Sequence, residues 1–237
     1  MSIVAFWTRT DADQLTSSAA IRVDARIAPP YAHALALESW RRNLLDNALG
    51  SGLDLWYEAQ NDFLLCLVHA GRGVWRSSLQ ALRSFVENST SAVFFSEHPV
   101  EARRFESGDF RLTWSESKKY FASYPYSTPA AFRDPLWRSL DHEYAELSKA
   151  VHGSTRSFRM TAANAFPVLS SSDPALIGAW KTRVNHSARA VHLLLLQHFQ
   201  DQLVGARLPA LREEVARALS AAERTKIRTS LGIVLRP

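Results

Sequence analysis

Leu82-Arg83-Ser84-Phe85-Val86-Glu87-Asn88 and Tyr144-Ala145-Glu146-Leu147-Ser148-Lys149-Ala150-Val151-His152-Gly153-Ser154 are the two stretches whose period decides the fold. In both, apolar residues recur three and four apart, the spacing that lines one face of an α-helix. Polar, chemically capable side chains stand beside each apolar stripe at i, i+4 spacing: Arg83 and Glu87 in the first, Tyr144, Ser148 and His152 in the second. Helices that carry such groups at the rim of an apolar stripe can join to build a partly buried polar site. The sequence therefore predicts an all-α helical bundle with one candidate site.

Working outward, helical spacing over 31–49 ends at Gly50-Ser51-Gly52, and 53–70 reads as a strongly apolar helix closed by Gly71 and Gly73. The next helix spans 74–96, with Leu79, Leu82, Phe85, Val86, Val93 and Phe94 as its buried face, and stops before Pro99. Short helices are predicted over 100–106 and 115–124, then a loop punctuated by Pro125, Pro129 and Pro135. Residues 136–152 form a helix with Leu140, Tyr144, Leu147 and Val151 on one face and Gly153 as its left-handed cap. Thr155 to Ser172 reads as irregular. Asp173-Pro174 opens a long helix to about Val204, and amphipathic segments over 209–219 and 220–231 complete the chain. The result is a single domain over 1–237: an irregular N-terminal arm (1–28, with a possible short strand at Ile3–Trp7), a helical core (31–205) and basic C-terminal helices (206–237).

Composition sets the bounds. The 237 residues are 46% hydrophobic and 22% charged, the balance of an ordinary globular protein with a sizeable core. A single cysteine, Cys66, excludes a disulfide framework within the chain and makes a reducing, cytoplasmic compartment the expectation. No run approaches the ~18 apolar residues of a membrane span, so no membrane association is expected. The formal charge of +5 is concentrated after residue 174, where ten Lys/Arg face four Asp/Glu. Such a basic third suits RNA or an acidic partner, and it equally suits a solvated helix face.

Each candidate residue has a chemical and a plain reading. His152, in the last turn of its helix, can serve as acid or base, oriented by Ser148, or simply as a C-capping histidine. Arg83 with Glu87 is a phosphate-holding guanidinium with its orienting carboxylate, or an ordinary intrahelical ion pair. Arg183, Asn185, His186, Arg189, His192 and His198 share one helix, but they lack the spacing of a zinc site, and no metal is expected. Arg183, Arg189, Arg224, Lys226 and Arg228 are the candidate nucleic-acid contacts. No phosphate-cradling glycine loop, Gly-x-Ser-x-Gly elbow or dinucleotide fingerprint is present, and no cofactor is expected.

The order Arg83-x3-Glu87-Asn88, then Phe94-Phe95-Ser96-Glu97-His98-Pro99-Val100-Glu101, then Leu147-Ser148-x2-Val151-His152-Gly153-Ser154, resembles bacterial proteins of the HEPN-like helical class over residues 60–205. The resemblance implies a helical core, a homodimer or a protein partner, and a defence or toxin role in which RNA is bound or cleaved without a metal. It implies His152 as acid/base, Arg83 as phosphate clamp, and Glu87 and Ser148 as orienting groups. One departure matters. Ribonucleases of the class carry an arginine shortly before the histidine on the same helix, whereas here Ala145, Glu146 and Leu147 stand in that region. The one formal match, Arg26 to His33, contains Pro29-Pro30 and does not make one continuous helix. Catalysis then requires Arg83 to substitute from the neighbouring helix. Otherwise the chain is a non-catalytic regulatory or scaffolding subunit that binds a protein partner through its helices.

Overall fold

A computed structural model describes residues 3–124, 130–152, 170–205 and 207–237, and among these the protein is all-α. The α-helices of eight or more residues are α1 (Ile3–Arg22), α2 (Ala28–Trp40), α3 (Leu53–Gly71), α4 (Trp75–Glu97), α5 (Pro99–Glu106), α6 (Trp114–Ser123), α7 (Ala130–Val151), α8 (Pro174–His198), α9 (Pro209–Ala218) and α10 (Ala221–Leu231). No helix among the described residues is long and apolar enough to cross a membrane.

Helix α4 is the centre of the bundle. Leu79, Leu82, Phe85, Val86, Val93 and Phe94 are all buried, as their period predicts. Ala81, Ser89, Thr90 and Ala92 are buried too, because α4 packs against α3 on one side and against α7 and α8 on the others. A helix covered on several faces must place small residues where neighbours come close. The small buried side chains also carry the polar contacts: Ser78 Oγ donates to the Cys66 carbonyl (2.7 Å) and accepts from Trp180 Nε1 (2.8 Å), joining α3, α4 and α8. Burial pushes the Cys66 thiol up to about 11, so this sulfur is a packed apolar group.

The closest approach falls at Gly52, in the turn before α3, where an added Cβ would stand 1.9 Å from the Ala92 carbonyl oxygen. The obstacle is helix backbone, which cannot swing aside. Gly52→Ala is expected to destabilise the fold by about 2 kcal/mol, read as a lower urea midpoint at unchanged m-value. Gly73 needs its left-handed φ of 72° to let Ser171 pair with its carbonyl.

Several boundaries differ from the sequence expectation. The N-terminal segment is a helix over Ile3–Arg22, not an irregular arm or a strand. Among its residues whose burial is described, the buried ones are Thr10, Ser17, Ser18 and Ile21, helical in spacing but mostly hydroxyl-bearing. Pro29 and Pro30 lie in the first turn of α2, where the missing N–H groups have no partner to lose, and so open the helix instead of breaking the chain. Pro135 lies inside α7, which starts at Ala130. The predicted Asp173 cap is present, accepting from Ala175 N at 2.8 Å, but the helix it opens stops at His198, before a short turn over Gln200–Leu203. Gly153 and Ser154 lie outside the described residues.

Candidate functional site

Helices α4 and α7 run antiparallel, and their contacts fix the register. Arg83 and Glu87 on α4 meet Tyr144 on α7, while Arg76, two turns earlier on α4, reaches Val151, two turns later on α7. The two stretches that carry polar groups at i, i+4 spacing therefore do converge on one helix–helix seam.

At its centre the Tyr144 hydroxyl accepts from Arg83 Nη2 (2.9 Å) and donates to Glu87 Oε1 (2.9 Å), and Arg83 Nη2 also reaches Glu87 Oε1 at 3.0 Å. The Tyr144 ring stacks on Trp114, with centroids 4.2 Å apart and planes 9° from parallel. Burial raises the Tyr144 hydroxyl above its ordinary value, and Glu87 adds to this against the opposing pull of Arg83. The phenol is thus neutral, a fixed donor and acceptor bridging the ion pair. Arg83 Nε is buried without a hydrogen-bond partner among the described residues. The three contacts of this triangle use only Nη2 of Arg83 and Oε1 of Glu87. Asn88 faces the other way, donating to Asp62 on α3 at 2.8 Å.

The remaining predicted members lie further along α7. Ser148 Oγ donates to the Tyr144 carbonyl at 2.8 Å, so its proton is spent on its own helix, not on orienting an imidazole. His152 is exposed in the turn that follows α7, and its ring makes no hydrogen bond among the described residues. Eight residues of helix put it about 12 Å along the axis from Tyr144. The seam thus brings guanidinium, carboxylate and phenol together and leaves the imidazole at its end, outside the pocket expected to hold all of them.

A group the sequence reading passed over stands at that end. Exposed Arg76 donates to the Val151 carbonyl at 2.7 Å, one residue before His152. It caps a helix C-terminus, where an arginine is favourably placed. The signal was present: Arg76 and Arg83 are seven apart, on one face of α4.

The candidate nucleic-acid contacts are mostly engaged within the fold. Arg183 forms an ion pair with buried Glu143 at 3.0 Å, without hydrogen-bond alignment, and Arg189 pairs with Glu223. Arg224 donates to the carbonyls of Ala216 (2.9 Å) and Leu219 (2.7 Å), holding the end of α9. Lys226 lies over the Phe132 ring at 5.7 Å, and both Lys226 and Arg228 are exposed. The five do not form one free basic face, because carboxylates and helix carbonyls take up three of them.

No family model, curated protein or solved structure matches this chain.

Proposed function

We propose that the chain binds RNA at the open end of the α4–α7 seam and cleaves it without a metal. Arg76 holds the phosphate and His152 moves the proton. The observation that supports this reading is the anchoring of exposed Arg76 on the carbonyl of the residue preceding exposed His152. It supplies, from the adjacent helix, the arginine–histidine pair that α7 alone lacks. The Arg83–Glu87–Tyr144 triangle acts at one remove, fixing the register in which Arg76 reaches the carbonyl of the residue before His152. A polymer needs an open site, and both residues are exposed, with Arg76 sharing Nη2 with the Val151 carbonyl.

In the reaction, the ribose 2′-hydroxyl attacks the adjacent phosphorus and the bond from phosphorus to the 5′-oxygen breaks. The His152 imidazole takes the 2′-proton and, as imidazolium, returns one to the departing 5′-oxygen, so no co-reactant is required. Arg76 meets the charge that grows on the non-bridging oxygens. The test is incubation of a folded RNA with the protein in EDTA. Shortening of the RNA by wild type but not by His152→Ala supports the reading, and intact RNA in both refutes it.

A second reading, a non-catalytic subunit that binds a protein, is favoured by one surface. Tyr57, Leu64 and Val68 form an exposed apolar stripe on α3, with Leu65 at its edge, beside exposed Tyr31 and Leu35 on α2. Tyr31, Leu35 and Leu64 line a groove of 210 Å³ between these helices. Patches of this kind mark interaction surfaces. If the partner is a second copy, sedimentation is expected to give a dimer that Leu64→Glu returns to monomer. A wild-type monomer at all concentrations would rule out that form of the reading.

A further inference from the structure

A second polar site stands where α2, α8 and the turn between α9 and α10 surround a cleft of 440 Å³. Its floor is His33, only 5% exposed, and its walls include His186, Arg189 and Arg217. Neither His33 nor His186 has any part in the seam described above.

The proton positions on these rings follow from one residue. Trp40 Nε1 can only donate, and it donates to His192 Nδ1 at 3.2 Å. Fully buried His192 must therefore, when neutral, carry its proton on Nε2, which lies 3.2 Å from His33 Nδ1. His33 Nδ1 accepts that proton's hydrogen bond, and neutral His33 carries its own proton on Nε2. That Nε2–H has no partner among the described residues, and the ring lines the cleft. Burial holds both rings neutral well below the ordinary histidine range, so the donor persists across physiological pH. A tryptophan thus fixes, through two imidazoles, a neutral donor at the bottom of a cleft.

The opposite wall has the complementary polarity. Glu143, 1% exposed, lies 3.1 Å from His186 Nδ1 and 3.0 Å from Arg183. A carboxylate accepts from Nδ1–H, so that nitrogen of His186 is engaged by Glu143. Asn185 Oδ1, also in the lining, is buried without a hydrogen-bond partner among the described residues. The cleft therefore combines a fixed imidazole N–H and one unfilled amide acceptor with two guanidiniums that are already paired, Arg189 with Glu223 and Arg217 with Glu213 and Glu214.

We propose that this cleft binds a small phosphate monoester with free hydroxyl groups. The His33 Nε2–H, with Arg189 and Arg217 shared from their carboxylate partners, takes the phosphoryl oxygens, and Asn185 Oδ1 accepts from a hydroxyl. Glu223, which pairs with Arg189 and closes the cap of α10 with Ser220, keeps that guanidinium in place when the cleft is empty. The site is of the size that small ligands occupy.

The test is NMR of the full chain, following the histidine ring signals as glycerol 3-phosphate, inorganic phosphate or sodium chloride of equal ionic strength is added. The expected result is saturable movement of the His33 and His186 signals, with glycerol 3-phosphate binding at least tenfold tighter than inorganic phosphate. Arg217→Ala, an exposed position that leaves the core untouched, is expected to weaken binding at least tenfold, and Arg76→Ala to leave it unchanged. Movement that chloride reproduces, or that Arg217→Ala does not alter, overturns the proposal. Because Arg76→Ala disables only the seam, failure here and failure of the RNA reading give different results.

Discussion

In EDTA, His152→Ala and Arg76→Ala are each expected to slow RNA cleavage by about 100-fold or more, the range ascribed to a single acid–base or charge-stabilising group. The two reach that loss by different routes. His152→Ala removes the proton carrier and is expected to lower kcat with little change in KM. Arg76→Ala also removes a charge from the bound RNA, so KM is expected to rise, and the salt dependence of binding to become shallower. Arg76→Lys keeps the charge but loses the forked donor set and is expected to recover only part of the rate. Arg83→Ala and Tyr144→Phe act on the register instead of the phosphate. Their losses are expected to be smaller and to accompany a reduced unfolding midpoint, about 1 kcal/mol for each hydrogen-bonded link removed. Comparable kcat losses in Arg83→Ala and Arg76→Ala, with the Arg83 variant fully stable, would return the clamp to Arg83.

Between neutral pH and pH 4.5 the protein is expected to lose about 3 kcal/mol of stability through its buried histidines. The His33 imidazolium is opposed by burial, which lowers its pKa from 6.5 to about 4, while Glu223 pulls weakly the other way. The unfolded chain therefore binds a proton below pH 6.5 that the folded chain refuses until about pH 4. Over that window the unfolded state holds more protons, so stability falls as pH falls and levels off once His33 itself is protonated. His192, fully buried and facing His33 and Trp40, adds to the loss in the same direction. The carboxyls of Asp24 and Glu38, held down to about 2 by Arg26 and Arg41, act in the same direction, beginning near pH 4.5 and mainly below it. Urea unfolding at pH 7 and at pH 4.5 measures the difference, and His33→Phe is expected to flatten it while lowering stability at pH 7. Equal stability at the two pH values would show that the pair carries a proton in the folded state.

What was legible in the sequence was what local period encodes. The face of α4 from Leu79 to Phe94, the Asp173 cap and the polar line on α7 all follow from residues within a few turns of one another. That both stretches flank stripes to be buried was implied as well, but not which of their polar residues would meet. The middle of helix α1 was not legible, because Thr10, Ser17 and Ser18 are buried but do not read as apolar. Register was not legible. Whether Arg83 or Arg76 stands beside His152 depends on how two antiparallel helices slide, and no residue within either helix states that. The same holds for His33 and His192, 159 positions apart, and for the pairing of Arg183 and Arg189 with Glu143 and Glu223. Lysines and arginines that look like a basic face in sequence are partly spent once the carboxylates of other helices arrive.

The proposed chemistry is tested most directly by the ends it leaves on RNA. Wild-type protein in EDTA is predicted to yield fragments ending in 2′,3′-cyclic phosphate and beginning with 5′-hydroxyl, with neither formed by His152→Ala. Fragments that require a divalent metal, or that persist unchanged when His152 is replaced, would contradict the account.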